Sequence, residues 1–270
     1  MDGTVGIAET GAGKAAAKAA AENFPVALRL LGGGRRRAVM AFYGVARRAD
    51  DAADDPDLPA DAKLERLDAI ERGLAGGAFG LDGRARAHLR RLLVAFRADA
   101  VNAPVQSEAD LLGYCRHSAN PVGRFLLDLH GETAAATASA DALCTALQLL
   151  NHLQDAGGDW RNLRRLYLPL DWMDEAGADP DMLLADRAPP ALARVFARFA
   201  ALAGDRVRAA APLPGLIRSP GLRVQAAATL SAARRLHRRL EGADPIGGRV
   251  GLGRCDKALA LAAGLARLPA

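Results

Sequence analysis

Aromatic residues make up only 4% of this 270-residue chain, and none is interleaved with a basic helix, so a nucleic-acid surface built on stacking is not expected. Cysteines are three, Cys115, Cys144 and Cys255. They are too widely spaced, and too odd in number, for a disulfide framework or a zinc site, which makes a reducing cytoplasm the expected setting. No uninterrupted apolar run is long enough to span a bilayer, and the N-terminal residues lack the basic-then-apolar order of a secretion signal. Val/Ile/Thr-rich alternation is missing as well, which leaves no basis for a sheet. The run Gly11-Ala-Gly-Lys14 falls short of a phosphate loop, because Ala8 stands where the first glycine belongs and Ala15 where a Ser or Thr belongs. A dinucleotide fingerprint is also lacking, so NADPH has no evident seat.

Helix-forming sequence fills the space these absences leave. Half of the residues are hydrophobic, enough to bury one large core without a second domain. Residues 1–13 read as a flexible tail and 14–270 as a single helical domain. Within it, Ala15–Leu31, Arg35–Asp54, Ala60–Leu74, Arg84–Ala100, Val122–His130, Ala140–Gln154, Ala188–Ala211, Leu216–Leu240 and Arg254–Leu268 follow helical periodicity. Ser107 is placed to cap a helix, Pro121 marks a break after it, Arg161–Pro169 reads as a loop and Leu170–Gly177 as a short helix. The arginines of the 84–100 segment read as a solvated face. The net charge of +5 fits either a plain solvated surface or attraction to an anionic substrate or membrane surface.

Two acidic stretches stand apart from this background. In Tyr43-Gly-Val-Ala-Arg-Arg-Ala-Asp-Asp-Ala-Ala-Asp-Asp55, residues Tyr43, Arg47, Asp50 and Asp54 share one helical face, with Asp51 and Asp55 beside them. In Gln148-Leu-Leu-Asn-His-Leu-Gln-Asp-Ala-Gly-Gly-Asp159, residues Asn151, Asp155 and Asp159 recur at every fourth position of an apolar segment. Carboxylates in core-facing helices are costly to bury unpaired. Oxygen donors without thiolates or clustered imidazoles suit a hard cation, Mg²⁺ above all. Two such helices side by side would aim Asp50, Asp54, Asp155 and Asp159 into one cleft, an arrangement fit to hold a diphosphate through metal.

These stretches resemble the two aspartate-rich motifs of the squalene and phytoene synthase family. Glu22-Asn-Phe-Pro-Val-Ala27, Tyr114-Cys-Arg-His-Ser-Ala-Asn-Pro-Val-Gly123 and Tyr167-Leu-Pro169 stand around them in the family's order. The likeness covers the chain from about Ala21 onward, and the wording is nearest to the bacterial hopanoid-pathway branch, the hydroxysqualene synthases. It implies an all-α isoprenoid-synthase bundle with a deep central cavity. The implied substrate is a polyprenyl diphosphate, presqualene or farnesyl diphosphate, and the implied cofactor Mg²⁺. The implied setting is cytosolic, touching a membrane only at its surface. A squalene or phytoene synthase joining two prenyl diphosphates is the neighbouring reading, and a non-catalytic assembly protein of the same fold a third.

On that resemblance Asp50, Asp54, Asn151, Asp155 and Asp159 are the candidate metal ligands, with Asp51 and Asp55 outside them or on the surface. Arg47 either bonds the diphosphate or pairs along its helix with Asp50 or Asp51. Tyr43 and Tyr114 either meet the leaving group and a carbocation or are satisfied core tyrosines. Phe24 either lines the cavity or belongs to the core. Gln154 faces the diphosphate, and Arg164, Arg165 and Tyr167 fall where the family places an element covering the substrate. His117, His152 and Cys115 read as packing residues. Many relatives carry Arg-Asp and a further acid in the second motif. This chain has Gln154-Asp155 and Gly158-Asp159, which implies handling one diphosphate rather than two, with water rather than hydride ending the reaction.

Overall fold

The computed structural model describes residues 33–248 and 250–267. The expected tail, the Ala15–Leu31 helix and Phe24 lie outside the described residues. Among those described, every regular element is helical. In chain order these are α1 (Gly33–Asp54), α2 (Ala60–Ala75), α3 (Gly83–Ala100), α4 (Glu108–Ser118), α5 (Asn120–His130), α6 (Thr137–Leu163), α7 (Leu170–Ala176), α8 (Pro190–Ala209), α9 (Leu213–Leu216), α10 (Pro220–Leu240) and α11 (Arg254–Leu265), with 3₁₀ turns at Ala134–Ala136 and Pro180–Leu184.

Side-chain caps set two of the helix starts. Asp82 accepts from the Ala85 N–H at the head of α3, and Ser107 accepts from the Asp110 N–H at the head of α4, so each satisfies one otherwise orphaned donor. Prolines occupy the first turns of α5, α8, α9 and α10, where a missing N–H costs nothing. Pro121 therefore begins a helix. The break expected there falls at Ala119, whose φ of −126° and ψ of −46° separate α4 from α5. The second motif's helix also runs further than expected, so that Arg161 to Leu163 belong to α6 and not to a loop. Leu213–Leu216 closes a helical turn of its own, and the helix expected from Leu216 begins at Pro220.

Two hydrophobic cores organise the bundle. One gathers Val39, Phe42 and Val45 of α1, Leu67 and Leu74 of α2, Leu89, Leu92 and Leu93 of α3, and Phe125. The other gathers Leu149, Leu150 and Leu153 of α6 with Trp172, Phe196, Phe199, Leu222, Leu230 and Leu236. Burying each such side chain is worth about 1.5–3 kcal/mol. Helix α5 joins the two, giving Phe125 to the first and Leu127 to the second. The rings of Phe42 and Phe125 stack with centroids 4.0 Å apart.

Close approach of α5 to α6 depends on Gly123, where a Cβ would meet the Cys144 sulfur at 2.6 Å. Beside that contact Arg124 donates twice to Asp141, at 2.9 and 2.6 Å, and the buried Thr145 hydroxyl donates to Asn120 at 3.0 Å. Gly123→Ala is therefore expected to lower the unfolding free energy by about 1–3 kcal/mol through overpacking. Adding Cys144→Ala should recover most of that loss. Urea unfolding of the single and double variants measures both, and additive losses would refute the steric account.

Candidate active site

A cavity of about 550 Å³ lies between the two cores. Helices α1 and α6 run along its length and give it a direction. Towards their C-terminal ends Asp50 and Asp54 stand on one wall and Asn151 and Asp159 on the other. Towards their N-terminal ends the walls are Val39, Phe42, Ala140 and Leu143. Val39 to Asp54 is roughly 22 Å of helix at 1.5 Å per residue, so a charged mouth opens onto a long apolar chamber.

Burial makes the mouth costly as it stands. Desolvation, then the neighbouring Asp54, pushes Asp50 up to about 6. Desolvation, then Asp155, pushes Asp159 up to about 7. Arg47 answers part of this, bonding Asp50 at 2.5 Å and Asp51 at 2.6 Å along α1 while also lining the cavity. Asp51 is 60% exposed, and Asp55 bonds Arg66 at 2.9 Å, so both belong to the outer face of the helix end.

The donor set fits a hard divalent cation. It offers carboxylate and amide oxygens only, and two of its carboxylates, Asp50 and Asp159, are held where burial disfavours their charge. Among the described residues no group of three or more His, Cys, Asp or Glu is close enough to cage a metal unaided. Mg²⁺ is ordinarily bound through one or two carboxylates with substrate phosphates supplying the rest, which matches ligands spread over two facing walls.

Behind the mouth lies a network that periodicity alone does not reveal. Arg165, 7% exposed, donates from Nη1 to Asp54 at 2.6 Å, from Nη2 to the carbonyls of Asp99 at 3.0 Å and Ala53 at 3.4 Å, and from Nε to Asn102 at 3.4 Å. The Asp99 carboxylate, buried at the end of α3, accepts from the Tyr114 hydroxyl at 2.8 Å and the Tyr167 hydroxyl at 2.9 Å. Burial pushes Asp99 up to about 6 against the pull of Arg165 and the two hydroxyls. Burial and the Asp99 charge hold both tyrosines well above their ordinary range, so they remain donors. His152 stacks on Tyr167 with centroids 3.6 Å apart, and burial, with Arg165 second, lowers it to about 3, leaving a neutral ring.

A left-handed residue aims Arg165 inward. Arg164, with φ 52° and ψ 34°, ends α6, and the Arg165 N–H turns back to the Asp159 carbonyl at 3.3 Å. Asn102 braces this turn by donating to the Leu163 carbonyl at 3.0 Å. The Arg164 side chain goes the other way, to Asp181 at 3.3 Å and over the Trp160 ring.

Most expected site residues therefore meet. Tyr43, Arg47, Asp50, Asp54, Tyr114, Asn151, Asp159, Arg165 and Tyr167 all line the cavity. Three expectations need correction. Asp155 is exposed and is not part of the cavity wall, although its charge reaches Asp159. Gln154 is buried and donates to the Val250 carbonyl, so it fastens the glycine-rich connection before α11 instead of facing the diphosphate. Arg165 and Tyr167 present themselves to the cavity, but their polar groups are engaged by Asp54 and Asp99; Tyr114, bonded to Asp99, has the satisfied hydroxyl of one of its two expected readings. Asp99 itself was hidden in the sequence among the arginines of α3. The only signal for it is an acid on the apolar side of that helix, in register with Leu92 and Phe96.

The family description squalene/phytoene synthase matches residues 17–255. A hydroxysqualene synthase of Rhodopseudomonas palustris is 39% identical over 249 residues, covering 86% of this chain and 83% of the relative. Another, from Sinorhizobium fredii, is 36% identical over 243 residues with coverage of 86% and 83%. Among solved structures, squalene synthase HpnC from Alicyclobacillus acidocaldarius superposes with a TM-score of 0.70 at 26% identity, over 85% of this chain and 92% of that one.

Asp99→Ala takes from the Tyr114 and Tyr167 hydroxyls their shared acceptor and from Arg165 one of two nearby carboxylates, and is expected to cost about 1–3 kcal/mol of stability. Asp51→Ala, which removes only an exposed partner of Arg47, should cost less than about 1 kcal/mol. Chemical unfolding followed by circular dichroism compares them, and similar small losses would refute the role given to Asp99.

Proposed function

The chain belongs to the squalene/phytoene synthase family, and we propose that within it the protein is a Mg²⁺-dependent hydroxysqualene synthase acting on presqualene diphosphate. The observation that carries this reading is the division of one cavity into an acidic mouth, Asp50, Asp54, Asn151 and Asp159, and an apolar chamber behind it. Such a chamber suits a prenyl chain, and such a mouth suits the diphosphate it carries. The two hydroxysqualene synthases above support the choice within the family.

Asp50, Asp54, Asn151 and Asp159 would hold Mg²⁺, which when bound would supply Lewis-acid stabilisation of the diphosphate leaving group. Asp155, exposed and outside the wall, acts on the mouth through the charge it sets beside Asp159. Arg47, already bonded to Asp50 and Asp51, donates a charge-assisted hydrogen bond to the same anion. The rings of Tyr43, Phe96 and Tyr114 line the cavity and offer π faces to the cation left behind. Phe42, Leu126, Leu143 and Leu147 keep bulk solvent from it. The cyclopropyl cation then rearranges and is captured by water. This chemistry serves squalene and hopanoid synthesis in the cytoplasm, with the lipid substrate delivered at the membrane surface. Among the described residues no helix is long and apolar enough to cross a membrane.

Purified protein incubated with presqualene diphosphate and Mg²⁺ in ¹⁸O water is expected to give a labelled alcohol, detected by mass spectrometry. An unlabelled hydrocarbon would overturn the hydration step. Product from farnesyl diphosphate alone would favour a synthase that condenses two prenyl diphosphates. Asp50→Ala and Asp159→Ala should each lower turnover by at least about 100-fold while remaining folded, as expected for loss of a metal ligand. Folded variants with unaltered turnover would remove these residues from the metal site.

A further inference from the structure

The apolar part of the cavity contains two polar side chains that find no partner among the described residues. Ser118, the last residue of α4, and Gln225, on α10 between Leu222 and Ala226, both line it. Ser118 Oγ and Gln225 Oε1 are buried and have no hydrogen-bond partner among the described residues. Thr229, one turn beyond Gln225, adds a further hydroxyl to the same wall. Elsewhere along this stretch the lining is Ala119, Val122, Leu126, Leu143, Leu213 and Ile217.

Buried polar groups are nearly always satisfied, because an unpaired one forfeits the bonds it makes in water. Apolar side chains would close these two positions as the neighbouring ones are closed. A prenyl chain gives neither group a partner. Water does: it donates to the carboxamide oxygen and accepts from the hydroxyl, and buried waters commonly make about 2–4 such bonds.

We infer that Ser118 and Gln225 hold the water that ends the reaction, and are positioning residues that decide between an alcohol and an alkene. The inference rests on the hydration reading proposed above. A lone pair of the held water forms a C–O bond to the cationic carbon. The oxonium proton passes to the diphosphate already released, so that presqualene diphosphate and water become an alcohol and hydrogen diphosphate with no change of oxidation state. Where water is not held, the same cation loses a proton from an adjacent carbon to the same base and gives an alkene.

The test uses the full chain carrying Gln225→Leu, Ser118→Ala or both, with presqualene diphosphate and Mg²⁺. Diphosphate release, the alcohol-to-alkene ratio and the thermal midpoint are read for each. Diphosphate release is expected to stay within about threefold of the parent, while the ratio falls at least about tenfold, equivalent to about 1.4 kcal/mol between the competing barriers. The midpoint should hold or rise, since no protein hydrogen bond is lost, and Ser118→Thr, which keeps the hydroxyl, should keep the alcohol. An unchanged ratio in both single variants and the double, with the parent still making labelled alcohol, overturns this inference alone. So does a fall in midpoint with a parallel fall in diphosphate release, which marks a structural role. A parent that releases diphosphate without labelled alcohol overturns the hydration reading, and this inference with it. If Gln225→Leu does not fold, Ser118→Ala and Ser118→Thr decide the matter.

Discussion

The buried guanidinium of Arg165 fixes the architecture of the mouth. It touches the end of α1 through Asp54 and Ala53, the end of α3 through Asp99, and the α3–α4 connection through Asn102, while its own backbone ends α6. Removing that much charge from water is expensive, and buried ion pairs on balance contribute less to stability than to uniqueness of structure. Here the expense secures a geometry. The first acidic helix cannot slide against the second without breaking charge-assisted bonds to a guanidinium that is itself buried.

Electrostatic accounting at the mouth leads to its chemistry. Asp50, Asp54, Asp99 and Asp159 lie in or beside the cavity, with Arg47 and Arg165 as the guanidiniums among them. Four carboxylates set against two guanidiniums leave two negative charges uncompensated when all are ionised. Desolvation is the first cause that raises Asp50, Asp99 and Asp159, and the neighbouring acids add to it. Under the proposed function a divalent cation would offset the uncompensated charge, a further cation would draw a diphosphate, and the apolar chamber would take the part of the ligand that carries no charge.

Much of this was legible in the sequence because it is periodic. The acidic rows, the amphipathic helices and the Ser107 cap all announce themselves by local spacing, and α1, α2 and α3 formed close to where spacing put them, while α6 runs past its expected end. The remainder depends on partners far away in the chain. Asp99 is isolated in sequence, and its tyrosines are 15 and 68 residues distant. Gln154 finds Val250 across 96 residues. Spacing gives the direction in which Asp155 leaves its helix, but only the packed neighbours decide whether that direction meets a wall or solvent. Ser118 and Gln225 carried no signal at all, since a lone polar residue becomes informative only when its surroundings are seen to be apolar.

The reversal of the chain at Arg164 bears on what kind of change this region tolerates. Two arginines adjacent in sequence point to opposite sides, one to Asp181 at the surface and one to the carboxylates inside. Their identities are alike, and what separates their roles is their distance in residues from the end of α6. Many substitutions in the stretch from Trp160 to Arg164 leave that distance intact. A single inserted or deleted residue does not: it exchanges the two arginines, or presents neither, and parts the bundle's two halves at the point where they are fastened. The segment is therefore expected to be permissive in composition and strict in length.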